Sequence, residues 1–534
     1  MPYFSLERML SNWVMGVDTY ISRAIRYFQQ NAMLTVVFCG IVIAAYGYEL
    51  FNLNLTIDEE VHANSSQALS WIEQGRWGMY LLNSYLLPQP VIPFVPLFTA
   101  LVFHFLSILL LMSSWQVTSK LDRLIAGGLA LSFPGMAYMY TFSSINYGVG
   151  IGLFLVALSL FVYARADGRG KYYAIFPAAL SLSIYQGFAV ALAVAFLVHF
   201  IADEMNSGRR NVSFKNLLTI FLIGIFSASA YYLVQKMFLL FTATSIGYVD
   251  TFFDIGYLLD HFSEVARNVV RTAIQVYSGA SSVYGVDIPF LAIITPLAIL
   301  CFYMRLRLCA LSFPSKCLLL CLFMLLVILP FLAGFLTKGH LAMRFLVALP
   351  IFLAGLLVLA LTERSKGGRL LIGTLAAVCV FQFVVTTNTL FSSSALALEA
   401  DRVLATRLME RIAEAKSLST SRDVRYLEVV GYVQRPPTRL VLKSETFGAS
   451  FFEWDQGNIY RILMFMNTLG FYDLQAMPGE ERGGVMSAAE EMPAWPDKGS
   501  VKVIGDTVVV KFGTYSEVQV NQICSAGLNS AYCK

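Results

Sequence analysis

The sequence predicts an α-helical polytopic membrane protein of about eleven transmembrane helices, followed by a small α/β C-terminal domain, and three observations carry that reading. Of 534 residues, 57% are hydrophobic and 13% charged, where soluble domains carry about 25% charged residues. The apolar stretches run about 18 to 22 residues, enough at a rise of ~1.5 Å per residue to cross ~30 Å of hydrocarbon as helices. They lack the alternation of a membrane β-barrel, so helices carry the spans. Beyond residue 391 the composition turns to that of a soluble domain. The net charge of +4 and the lack of a basic stripe with interleaved aromatics argue against a nucleic-acid partner.

The expected spans are 32–52, 93–115, 123–142, 147–164, 172–185, 187–202, 216–240, 287–304, 317–336, 344–361 and 370–391. Lys and Arg gather in alternate loops: Lys120 and Arg123; Arg165, Arg169 and Lys171; Arg209, Arg210 and Lys215; Arg305, Arg307 and Lys316; Arg364, Lys366 and Arg369. By the positive-inside rule these loops are cytoplasmic. The nearly continuous run 172–202 lies between two such loops and must therefore cross an even number of times, with a turn at Tyr185-Gln186-Gly187.

Residues 1–30 hold Arg8, Arg23 and Arg26 among apolar residues, without a small-residue cleavage site. They read as an amphipathic helix on the cytoplasmic side rather than a secretory signal. An odd number of crossings then places the membrane part, 31–391, with its tail outside. The loops 53–92, 239–286 and 337–343 share that outer side. The tail, 392–534, opens with a helical pattern at 399–415, continues with a strand at 426–433 and a helix at 458–469, and closes with a hairpin over 501–511. Cys524 and Cys533 lie in this outer tail and are expected to form a disulfide. Cys301, Cys309, Cys317 and Cys321, beside a cytoplasmic loop, read as buried thiols, and no Cys or His spacing resembles a zinc site.

The chemistry is expected in the outer loops. Thr56-Ile57-Asp58-Glu59 has capping-box spacing, in which Glu59 reaches back to a backbone N–H and acids suit the helix dipole. Capping accounts for one carboxylate, not three, so Asp58 is the first candidate for a general base and Glu59 the second. Glu60 is a substrate contact or, with Asp58, a site for a divalent metal. In the same loop, Arg76 and Trp77 pair a cation with a ring that serves either sugar binding or membrane anchoring. Asn146-Tyr147 and Tyr185-Gln186 interrupt apolar sequence at outer turns, where they either satisfy helix ends or line a cleft for a hydroxylated substrate. Lys338, His340 and Arg344 form a basic outer cluster against the positive-inside bias, suited to a phosphate group or to snorkelling. Arg271, one turn from Arg267, could help in the same way.

Thr56-Ile57-Asp58-Glu59-Glu60 followed by Gly75-Arg76-Trp77, the Ser183-Ile184-Tyr185-Gln186-Gly187 turn, and Arg344-Phe345 heading a late span resemble the Gtr-type glucosyltransferases of bacteria and their phages. Those enzymes modify O-antigen and cause serotype conversion. The resemblance covers most of the membrane part and not the tail. It implies a GT-C-like catalytic domain over 31–391 in the bacterial inner membrane, with its active site at the periplasmic face. It also implies undecaprenyl-phosphate glucose as donor, O-antigen polysaccharide as acceptor, no required cofactor, and two companions: a lipid-linked glucose synthase and a flippase. The absence of a phosphate-binding Gly loop agrees with a lipid-linked donor. A transporter or flippase of lipid-linked sugar is the alternative from another class, although neither related halves nor midplane charges stand out. An O-antigen ligase or polymerase is the alternative among enzymes.

Overall fold

The computed structural model describes residues 28–65, 68–88, 91–245, 255–361, 366–421, 423–478 and 481–525. The expected N-terminal helix therefore lies almost wholly outside the described residues. Along the chain, the helices that matter here are α1 (Ala32–Phe51), α2 (Glu59–Asn64), α3 (Ser70–Glu73), α4 (Trp77–Leu81), α5 (Val95–Ser114) and α6 (Lys120–Ser132). Next come α7 (Asn146–Arg165), α8 (Ile175–Ile184), α9 (Phe188–Asn206), α10 (Phe214–Thr242) and α11 (Phe262–Tyr277). The last are α12 (Pro289–Leu308), α13 (Phe313–Ile328), α14 (Leu349–Ala360), α15 (Lys366–Leu418) and α16 (Ile459–Thr468).

Among the described residues, eight helices are long and apolar enough to cross a membrane: α1, α5, α7, α9, α10, α12, α15, and α13 with the 3-10 turn that extends it to Phe331. Three of the eleven expected spans instead hold shorter helices. α6 has 13 residues and stops before Pro134, which cannot donate to the helix ladder. α8 has 10 residues and continues a 3-10 turn, Gly168–Ala174. α14 has 12 residues, all buried except Val358, because it runs through the middle of the bundle between α6, α9 and α12. A helix apolar on every face belongs in such an interior, whether or not it is long enough to span.

α5 and α7 pack closely: a Cβ on Gly150 would stand 2.4 Å from the Ala100 backbone, so only glycine permits the approach. The described residues of loop 53–88 include α2, α3, α4 and a π turn, Leu82–Leu86, with Trp71 and Trp77 buried.

α15 runs without a break for 53 residues, so residue 392, where the composition changes, falls inside a helix. Its last turns supply Leu404, Leu408 and Ile412 to the core of a four-stranded sheet. The strands are β1 (Tyr426–Val430), β2 (Gln475–Ala476), β3 (Val501–Ile504) and β4 (Thr507–Lys511), in the order β2-β1-β4-β3. β1 lies parallel to β2 and β4, and β3–β4 form the expected hairpin around Gly505-Asp506. Gly505 has φ +65, the positive value that such a two-residue turn requires. α16 covers this sheet, begun by an Asn458 side chain that accepts from the Tyr460 N–H.

Candidate functional site

Residues 56–60, which follow α1 after a short connection, are divided between two neighbours. Thr56 and Glu59 face the turn that precedes α7: Thr56 Oγ1 donates to the Thr141 carbonyl at 3.2 Å, and Glu59 Oε1 accepts from both the backbone N–H and the hydroxyl of Ser143 at 2.5 Å. Ile57 and Asp58 face the C-terminal sheet domain. Ile57 is part of its hydrophobic core, and Asp58 pairs with Arg461 of α16 at 2.9 Å. Glu60 meets the same guanidinium at 2.6 Å, and Asp455 meets it from α16's own side at 2.6 Å. Half of the expected capping box forms: Glu59 Oε2 accepts from the Thr56 N–H at 3.0 Å, but Thr56 turns its hydroxyl to Thr141 and the helix is entered through Asp58 at φ +77.

Burial separates the three acids. Glu59 and Glu60 are fully buried, whereas the Asp58 side chain is about half exposed. Loss of solvent raises Glu59 to about 7 despite its bonds from Ser143 and Thr56, and raises Glu60 to about 7 despite Arg461. Burial alone would lower Arg461, but hydrogen bonding and charge from Asp455, Asp58 and Glu60 more than offset it, so its acidity falls further. Glu60 Oε2 has no hydrogen-bond partner among the described residues.

The Gly75-Arg76-Trp77 motif docks onto the Ser183–Gly187 turn. The carbonyls at the end of α3 are satisfied from outside: Ile72 by Gln235 Nε2 at 2.7 Å, Gln74 by Gln186 Nε2 at 2.7 Å, and Gly75 by the Tyr231 hydroxyl at 2.8 Å. Gly75 has φ +76, and a Cβ there would stand 2.6 Å from Gln186; a Cβ on Gly78 would stand 2.2 Å from Ser183 Oγ. Arg76 is thereby held with its guanidinium 5.0 Å from the Tyr185 ring and 5.7 Å from Trp71. Trp71 stacks in turn on His62 at 5.6 Å, and the Tyr185 hydroxyl donates to the Arg344 carbonyl at 3.4 Å. A continuous series of contacts thus runs from the helix of the acids through His62, Trp71, Arg76 and Tyr185 to Arg344. Burial lowers the basicity of His62, favouring the neutral ring against Trp71.

Trp77 is buried and stacked on Phe238 of α10 at 5.6 Å. Tyr147 is buried and donates to Asn83 Oδ1. Asn146, the first residue of α7, donates to the Tyr140 carbonyl at 3.2 Å. Lys338 and His340 are exposed, Lys338 lying 5.3 Å over the Tyr257 ring. Arg271 and Arg267 are exposed on α11, whose buried residues include Val265 and Val269, packed toward Gly339 and Gly334. Asp58 and Glu60, the pair considered for a metal, face a guanidinium, and among the described residues no group of three His, Cys, Asp or Glu could hold an ion. Cys524 is disulfide-bonded, while Cys533 lies outside the described residues. Cys301, Cys309, Cys317 and Cys321 are free thiols; the first two are partly buried and the other two exposed.

Three residues enter the site that sequence alone did not single out. Arg461 is 401 residues from Glu60 and looks like one more surface cation of an amphipathic helix. Glu445 accepts from the Met343 N–H at 2.6 Å beside Arg344; burial raises it, while the Met343 bond and Arg344 oppose that. Glu49, in the last turn of α1, accepts from Asn54 at 2.5 Å. A carboxylate inside an apolar span was the available signal for Glu49.

No curated protein and no solved structure matches this chain. The family model described as Glucosyl transferase GtrII matches residues 47–361, which contain the acidic loop, both docked motifs and Arg344. That match covers more than half of the 534 residues and ends before the sheet domain. The chain belongs to the GtrII glucosyl transferase family.

Proposed function

We propose that this glucosyltransferase moves glucose from undecaprenyl-phosphate glucose to an O-antigen hydroxyl at the periplasmic face of the bacterial inner membrane, the reaction of serotype conversion. The observation that supports the reading is the series of contacts that ties the acidic helix, through His62, Trp71, Arg76 and Tyr185, to the backbone of Arg344, so that the two segments proposed to act on acceptor and donor belong to one packed unit.

Asp58 is the base. Its carboxylate is half exposed, whereas both oxygens of Glu59 are committed to Thr56 and Ser143. The acceptor hydroxyl attacks the anomeric carbon as its proton passes to Asp58. The bond from that carbon to the phosphate oxygen breaks, and undecaprenyl phosphate leaves with the bonding pair. One displacement inverts the anomeric configuration. Arg344, with Lys338 and His340, meets the charge growing on the phosphate, a contribution worth ~3–4 kcal/mol for a well-placed donor. Arg461 supplies the positive charge between Asp58 and Glu60 that a divalent cation would otherwise bring, so these carboxylates are a poor fit for a metal. A lipid-linked glucose synthase and a flippase would deliver the donor.

The test uses membranes supplied with labelled undecaprenyl-phosphate glucose and O-antigen. Asp58→Asn should reduce transfer by about 10²–10⁴-fold, the usual share of a general base. Full transfer by this variant would remove Asp58 from the mechanism, and retention of label on lipid by the wild type would favour transport instead.

A further inference from the structure

One segment of the C-terminal domain is anchored in the helical bundle rather than in the sheet core. Residues 442–448 close into a tight loop, in which Ser444 and Phe447 exchange backbone hydrogen bonds at 3.1 and 2.9 Å. Gly448 ends it at φ +68, where a Cβ would stand 2.0 Å from the Leu442 carbonyl oxygen, so only glycine closes the loop. Phe447 is fully buried in the core of the bundle, its ring 4.9 Å from Tyr138 and 5.5 Å from Phe391. Ser444 Oγ lies 2.5 Å from the Tyr138 hydroxyl and donates to the Val283 carbonyl at 3.2 Å. From α15, the hydroxyls of Ser393 and Ser394 accept from the Leu442 and Gly448 N–H groups at 3.0 and 3.4 Å.

Held at both ends, the loop presents Glu445. Its φ of +48 is unfavourable for a residue with a Cβ and persists because the surrounding bonds determine it. Glu445 Oε1 accepts from the Met343 N–H at 2.6 Å. Met343 opens the 3-10 turn Met343–Phe345, whose first N–H groups have no acceptor within the turn. The Tyr185 hydroxyl donates to the carbonyl of the next residue, Arg344, at 3.4 Å. The backbone around Arg344 is thereby gripped from two directions, by the helical bundle through Tyr185 and by the C-terminal domain through Glu445. The Glu445 carboxylate is close enough to feel the Arg344 charge but spends Oε1 on the backbone.

We propose that Glu445 is a positioning residue for glucosyl transfer: by holding the Met343 N–H it fixes Arg344 where charge grows on the leaving phosphate. The inference rests on the glucosyltransferase reading, in which Arg344 meets that phosphate. A donor stabilises developing charge only as well as its position is fixed beforehand. A backbone N–H bonded to a carboxylate is a charge-assisted and therefore firm hold. A carboxylate that merely capped the turn would affect stability without any coupling to Arg344.

The experiment compares Glu445→Ala, Arg344→Ala and the double variant, each as the full chain in membranes with saturating labelled undecaprenyl-phosphate glucose, alongside unfolding midpoints in detergent. Glu445→Ala should lower kcat about tenfold and Arg344→Ala about 10²-fold. Because Glu445 acts through Arg344, the double variant should stay near about 10²-fold instead of reaching the product, about 10³-fold. Glu445→Gln keeps an oxygen for the Met343 N–H and should restore most of the loss. Should the alanine variant fail to fold, Glu445→Asp, which shortens the reach, takes its place in the cycle under the same criterion. A double variant at the product of the single effects, or a glutamine variant as slow as the alanine one, overturns the positioning role and leaves the glucosyltransferase reading standing. Absence of transfer by the wild type overturns that reading, and the positioning role with it.

Discussion

The acidic loop and the basic segment of the site are built in opposite ways. Around Asp58, Glu59 and Glu60 the protein commits nearly every charge to a partner of its own: Arg461 takes two of the acids and Ser143 the third. Around Lys338, His340 and Arg344 two of the three side chains face solvent, and the contacts made are to aromatic rings and a nearby carboxylate. Buried carboxylates must be paired or must change their protonation, because desolvation penalises the charged form. Exposed side chains escape that penalty. The difference gives the acid end a geometry fixed by its own partners, while the basic end is the part proposed to meet the donor phosphate.

The largest effect that would break this contrast is at the acid end. Asp58→Asn should leave the fold intact, since an amide oxygen can still face Arg461, and lower transfer by about 10²–10⁴-fold. Arg461→Met should follow, because it strands Glu60 in a buried position; removal of one partner of a buried pair costs about 3–5 kcal/mol, read as a lower unfolding midpoint in detergent. Arg344→Ala should reduce transfer by about 10²-fold with little change in the unfolding midpoint, as expected for a donor acting on growing charge. A large loss of stability in this variant would give the basic end the same structural role as the acid end.

A smaller effect concerns pH. Glu59 and Glu60 rise to about 7 in the folded protein from an ordinary value near 4.5, so the folded state binds more protons across that window. Stability is then fullest below about 4.5 and declines as pH rises through 7, the reverse of a salt-bridged carboxylate with a lowered value. Unfolding midpoints between pH 5 and 8 should show this slope, and Glu59→Gln should flatten it. Least affected should be Lys338→Ala, an exposed side chain whose loss should raise the donor KM a few-fold at low salt and leave stability unchanged.

The membrane class was legible because crossing hydrocarbon demands long apolar helices, a constraint that acts on composition itself. It was less decisive for α6, α8 and α14. Local hydropathy cannot distinguish a span from a shorter helix surrounded by other helices, as the buried α14 shows. The motifs at 56–60, 75–77, 183–187 and 344 were legible as separate islands of polar or special residues in apolar sequence. Their contacts were not: Gly78 carries no mark that Ser183 will lie against it, and nothing near Arg461 points to Asp58.

The sequence by itself determined the helical membrane character, the α/β pattern of the tail, and the residue types that could transfer a proton or hold a phosphate, since each depends on local composition and periodicity. Tertiary structure alone decided which acid stays accessible, that the sheet domain supplies Arg461 to the acidic helix, and that Arg76 and Tyr185 connect that helix to Arg344. The physical reason is that burial and pairing are properties of the assembled chain: a carboxylate acquires its environment only when residues hundreds of positions away close around it.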